Sequence, residues 1–241
     1  DGGAFLLKIK IGYESGADKA AMLEWDKNRL REIHNIALNY GTENTLSGHI
    51  LYYLDANGRY GDIGGVAELL DYADKIGALG RIAVLEEPFG EDGIDVSALP
   101  VRVAADESLR SVRDVKGKQK LGYKAAALKP AAKTMSESLK ILSAAQENGM
   151  VCFCADLTVN PLEFNKNIAA RIESLPGIKT GILESNGEQN YVNWEKMLGY
   201  HPMANSPFIR PVNSIYNLDG NFYDTSGGIF RKSWYYDGLT E

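Results

Sequence analysis

Short β-branched or aliphatic runs alternate with longer amphipathic stretches along most of this chain, and that alternation leaves few folds open. Residues 5–11, 50–54, 82–85, 101–104, 125–128, 151–154 and 180–183 read as strands. Stretches at 18–40, 65–76, 134–148 and 162–174 carry helical periodicity, with shorter helices expected at 112–115 and near Trp194. Ser108 is placed to cap the 112–115 helix, and Ser136 with Glu137 opens the 134–148 helix. Seven βα units with no linker between them imply parallel strands joined by helical crossovers. An open doubly wound sheet or a closed eight-stranded barrel would satisfy that pattern. No Gly-x-Gly-x-x-Gly follows the first strand, which weakens the open, dinucleotide-binding alternative. The expected fold is therefore a (β/α) barrel of TIM type. Its first strand is expected to precede the chain, which starts almost directly in a strand.

The barrel is expected over residues 1–200. Beyond it the periodicity stops, and Pro202, Pro207 and Pro211 lead into a Tyr-, Asn- and Gly-rich tail, 201–241, read as turns and short strands. The length of 241 residues suits one such barrel, which typically needs about 250. With 26 basic against 32 acidic residues the net charge is −6, which argues against a nucleic-acid or anionic-membrane partner. No apolar run approaches the roughly 20 residues of a membrane helix. Cys152 and Cys154 stand two apart on one strand, a poor disulfide geometry, and read as reduced core residues of a cytoplasmic protein.

Chemistry collects at the C-terminal ends of the apolar runs. Lys8-Ile9-Lys10, Asp55-Ala56-Asn57, Glu86-Glu87-Pro88, Asp106-Glu107-Ser108 and Lys129-Pro130 all end strands. In a parallel barrel those ends share one rim, where such folds keep their active sites. Asp55, Glu86 and Asp106 would end three consecutive strands about 4.8 Å apart. An all-oxygen set of that kind suits a hard cation, Mg²⁺ above all, with Mn²⁺ as a substitute. Without an ion the three acids would repel and raise one another's pKa. Lys10 and Lys129 flank the trio, and an amine beside a dication loses its proton more readily and can act as a base. Lys8, on the same strand face as Lys10, adds positive potential, and Asn57 supports Asp55.

Taken singly, each feature has a plainer explanation. A Lys-x-Lys pair is usually a solvated edge, and an acid ending a strand is usually a cap. Glu87 and Glu107 read as ion-pair or supporting residues, Trp25 as packing, and His34, His49 and His201 as structural. Five consecutive strands obeying one rule is what chance explains poorly.

The same residues carry a family resemblance. LKIKIG at 7–12, LDANGRY at 54–60, LEEPF at 85–89, ADES at 105–108 and Lys129 resemble the barrel of the enolase superfamily, in particular its muconate-lactonizing and dipeptide-epimerase subgroup. The resemblance implies Lys10 and Lys129 as the acid/base pair and Asp55, Glu86 and Asp106 as ligands of one Mg²⁺. The mandelate-racemase subgroup uses a His on the seventh strand, and 151–158 has none. The stretch from Leu218-Asp219-Gly220 to Gly227-Gly228 resembles the closing segment that returns to a capping domain. By the resemblance, that cap and the first barrel strand are expected to lie outside this chain. Pro130 directly after Lys129 departs from the family pattern and could redirect the amine. Where the dipeptide epimerases carry Asp-x-Asp, this chain has Glu184-Ser185-Asn186, one carboxylate in place of two to hold a substrate ammonium.

The activity implied is racemisation or epimerisation of a small-molecule carboxylate, a dipeptide or amino-acid derivative among them, through an Mg²⁺-stabilised enediolate. A dehydratase like o-succinylbenzoate synthase, or a cycloisomerase, would use the same lysines and ion. A non-catalytic ligand-binding relative is the alternative from another class. The family also implies self-association into a homo-oligomer.

Overall fold

The computed structural model describes residues 3–13, 18–90, 92–155, 163–173 and 175–239. Six strands, β1 (Leu6–Lys10), β2 (Leu51–Asp55), β3 (Ile82–Glu86), β4 (Val103–Ala105), β5 (Ala125–Leu128) and β6 (Val151–Cys154), form one sheet in sequence order. Every pairing is parallel. Helices α1 (Lys19–Ala37), α2 (Ile63–Lys75), α3 (Val112–Lys120), α4 (Pro130–Lys133) and α5 (Met135–Glu147) supply the crossovers, except between β3 and β4, and α6 (Glu163–Ala169) follows β6.

Alternation along the strands divides the core in two. Ile9, Leu54, Leu85, Val103, Ala126, Leu128 and both cysteines point outward against Leu30, Leu69, Val115 and Ile141 of the helices. Leu51, Tyr53, Ala104, Ala127 and Phe153 point inward and share one buried cluster with Phe5 and Ile182, so the sheet curls round on itself. Both cysteines are free and buried, and burial pushes their thiols up to about 12.

Helix starts follow side-chain chemistry. Asp18 accepts the backbone N–H groups of Ala20 and Ala21 at the start of α1, and Asp62 accepts that of Gly65 in α2. The cap of α3 is Ser111, in a reciprocal box with Asp114, and not Ser108. The Ser108 hydroxyl is engaged elsewhere, donating to Glu87 at 2.9 Å. Thr134 caps α5 at the expected start of the 134–148 helix, its hydroxyl accepting the Glu137 N–H.

Among the described residues the six parallel strands make a curled, half-barrel sheet, part of the expected barrel. Among the described residues, the expected strand at 180–183 is reduced to a parallel bridge between Cys154 and Leu183. Cys154 N–H donates to Ile182 O at 3.1 Å and Glu184 N–H to Cys154 O at 2.9 Å. With no strand on its far side this segment lacks half of its ladder. Gly181 lets it pass close to the end of α6, because a Cβ there would lie 2.1 Å from Ala169 O. The expectations at 156–158, Leu162 and Ser174 lie outside the described residues.

The tail forms short helices, Gly220–Thr225 and Trp234–Asp237, where short strands were expected. Phe208, Ile209 and Phe222 are buried with Trp194, Leu198 and Met203 in a third cluster. Among the described residues no helix is long and apolar enough to cross a membrane.

Candidate active site

Strand register brings the expected residues to one rim. Lys10 pairs with Asp55 and Asp55 with Glu86, so all three share the inward face. Glu86 pairs with Ala104, and Asp106 stands two residues further on, at the same parity. Lys129 follows β5, two residues after the inward Ala127. Across five neighbouring strands the inward order is Lys10, Asp55, Glu86, Asp106, Lys129.

The acids are buried and the amines lie upon them. Lys8 Nζ sits 3.0 Å from Asp55 Oδ2, 3.2 Å from Glu86 Oε1 and 2.8 Å from Glu184 Oε2. Lys10 pairs with Asp55 and also donates to Asn57 Oδ1 at 2.7 Å. Asn57 in turn donates to Glu107 at 3.1 Å. Lys129 pairs with Asp106. Pro130 does not turn that amine away; it occupies the first position of α4, where its missing N–H costs nothing.

Two participants were not expected. Tyr53 donates its hydroxyl to Glu86 from two residues before Asp55, the inward parity that the apolar run disguised. Lys133 lies one helical turn beyond Lys129, and its amine donates to Asp106 O at 3.1 Å, 4.0 Å from Asp106 Oδ1. A Lys-Pro pair opening a helix, with a second Lys four residues on, was the available signal.

Burial and charge oppose each other at every group. Burial alone would raise the Asp55 carboxyl, yet Lys8 and Lys10 outweigh it and hold the group low. Burial pulls the Lys8 amine down, and Glu86, Asp55 and Glu184 outweigh that and hold it above the ordinary lysine value. Glu86 is pushed up to about 8 by burial, with Asp55 and Asp106 repelling its charge against the pull of Lys8. Burial also raises Asp106, against Lys129. Lys129 is itself raised, because Asp106 outweighs burial. Lys133 is lowered by burial.

The donor set suits a hard cation in kind. It is all carboxylate, and Asp106 Oδ1 is buried without a hydrogen-bond partner among the described residues. Among those residues, however, no three acids gather closely enough to chelate an ion. The lysine ammoniums supply the positive charge instead.

No family model matches the chain, and no curated protein matches it. Solved structures do. A mandelate racemase/muconate lactonizing protein from Herpetosiphon aurantiacus is 22% identical, with a TM-score of 0.60 over 78% of this chain and 49% of that one. A mandelate racemase/muconate lactonizing enzyme from Roseiflexus sp. is 21% identical, with a TM-score of 0.61 over the same shares, 78% and 49%. Over that share of its length the chain has the fold of these mandelate racemase/muconate lactonizing structures. A dipeptide epimerase from Enterococcus faecalis V583, complexed with Mg and the dipeptide L-Leu-L-Tyr, is 19% identical, with a TM-score of 0.54 over 72% of this chain and 46% of that one. The chain thus spans about half the length of these structures.

Proposed function

We propose that this chain is the barrel of a metal-dependent racemase or epimerase that moves the proton α to a carboxylate. The observation that carries this reading is the row of inward residues across β1 to β5: an amine, three acids, an amine. Asp55, Glu86 and Asp106 are the acids that would close on Mg²⁺, the metal named with the Enterococcus epimerase, from the wider spacing they have here. Bound there, the ion would supply positive charge beside a substrate carboxylate. Lys129, kept protonated by Asp106, is in the form that delivers a proton. Lys10 on the opposite side removes one, and the roles exchange for the other enantiomer. Lys8 adds positive potential between them.

The substrate we favour is an N-acyl amino acid ahead of a free dipeptide. Glu184, the carboxylate a substrate ammonium would need, is paired with Lys8 at 2.8 Å. The test is α-proton exchange in D₂O, with a substrate found by screening N-acyl amino acids and dipeptides. In Lys10→Ala exchange survives for one enantiomer, and in Lys129→Ala for the other. Exchange of both enantiomers at the wild-type rate in either variant overturns the two-base assignment.

A further inference from the structure

The opposite end of the barrel carries a cleft of about 570 Å³. It is bounded by the first residues of β2 and β3 and by the residues that lead into β4 and β5. That volume is within the range of small-molecule sites, roughly 300–1,000 Å³. Leu46, Leu51, Leu99 and Pro100 give it apolar walls. Two side chains bring charge to it, Arg102 and Lys124, both cationic, and among the described residues no acid lines it.

Arg102 is the informative residue. It is half-buried, two residues before the inward Ala104, and so sits at the base of the barrel interior. Its guanidinium donates to Ala83 O at 3.5 Å, the outer limit of a hydrogen bond. Most of its five donors find no protein acceptor among the described residues. Neither Arg102 nor Lys124 forms an ion pair there. Burial lowers the Arg102 pKa, and no neighbouring acid offsets that. Among the described residues no acid stands against this cation, in a chain whose net charge is −6. A partly desolvated guanidinium without a counter-charge is costly, and its planar fork matches a carboxylate.

We propose that this cleft is a second ligand site, for a small organic anion whose carboxylate meets Arg102 and Lys124 and whose apolar chain lies along Leu46, Leu51 and Leu99. The site is separate from the lysine–carboxylate row, because in a parallel sheet the two occupy opposite strand ends. It does not depend on the activity proposed above.

Octanoate is the probe, titrated into the whole protein and followed by the methyl NMR signals of Ile82, Leu51 and Leu99. Those signals should shift with saturable, millimolar or tighter binding, and octanol should bind far more weakly. Arg102→Gln should weaken octanoate by about tenfold or more, the worth of a charge-assisted hydrogen bond. Arg102→Lys should retain part of the affinity. Lys124→Gln, at an exposed position, keeps the fold and should weaken binding severalfold, so the test does not hang on one variant. Lys10→Ala should leave these shifts unchanged, which separates this site from carboxylate binding at the other rim. Absence of the shifts, equal binding of octanol, or full affinity in both Gln variants would overturn the proposal.

Discussion

Glu87 Oε2 accepts the backbone N–H of Asp106 at 2.6 Å. The same oxygen accepts the N–H of Ser108 at 3.2 Å and its hydroxyl at 2.9 Å. One buried carboxylate therefore shapes the turn that presents Asp106. The arrangement requires a positive φ of 37° at Glu87, a strained value for a residue with a Cβ, of the kind found at functional sites. Glu86 and Glu87 thus divide the work: the first faces the row of lysines and acids, the second holds a neighbouring acid in place.

Removing that carboxylate should be expensive. Glu87→Ala leaves the buried N–H of Asp106 without an acceptor and breaks three charge-assisted hydrogen bonds, an expected loss of about 2–4 kcal/mol. Urea unfolding of wild type and variant measures it. A loss below about 1 kcal/mol, the net worth of one ordinary hydrogen bond, would show that the turn is held by other contacts.

A pH effect is also expected from the tail. His201 is buried, and its Nδ1 accepts the Met203 N–H at 3.0 Å. Burial, helped by the charge of Lys166, lowers the imidazole from 6.5 to about 4. Between those values the unfolded chain binds a proton that the folded chain refuses. Stability from this group is therefore complete above about 6.5 and lost as pH falls toward 4. His201→Gln, which keeps an acceptor for Met203, should flatten that part of a plot of urea midpoint against pH. An unchanged slope would assign the acid loss to other groups.

Much of this was legible in the sequence because a strand's period of two is simple. Lys8 and Lys10, or Asp55 and the next inward positions, share a face whatever the neighbours do. What sequence did not reveal depends on contacts across the chain. The hydroxyl of Ser108 is claimed by Glu87, so the cap passes to Ser111, whose box with Asp114 was present in the sequence. Lys133 becomes part of the site because Pro130 starts a helix and sets two amines one turn apart. The segment 180–183 has strand composition, but it meets β6 only at the bridge between Cys154 and Leu183, and composition does not report pairing.

The tail offers a third test. Phe208 and Phe222 are both fully buried, with ring centroids 5.3 Å apart in an edge-to-face contact. Lys166 and Asn167 of α6 donate to the tail carbonyls Phe208 O and Ser226 O, at 2.9 and 2.8 Å. Phe222→Ala should therefore cost about 3–5 kcal/mol, as for a core phenylalanine, and lower the single unfolding midpoint of the whole chain. A separate early transition, with the rest unfolding as in wild type, would make the tail an independent unit.

The last expectation concerns protons at the acids. Glu86 is fully buried and pushed up to about 8, above its ordinary 4.5, so near neutral pH it holds a proton in the metal-free protein. Its folded value exceeds its unfolded one, so the stability it contributes is present at low pH and lost as pH rises from 4.5 through 8. A divalent cation prefers the ionised carboxylate and must displace that proton. Binding of Mg²⁺ should then release close to one proton at about pH 7 and tighten as pH rises toward 8. Calorimetric titrations in two buffers of different ionisation enthalpy count the proton directly. Glu86→Gln, which has no proton to lose, should bind Mg²⁺ more weakly and with little release. If wild type binds Mg²⁺ without releasing a proton, Glu86 is not among its ligands. If Glu86→Gln binds as tightly as wild type, the ion sits elsewhere than on Asp55, Glu86 and Asp106.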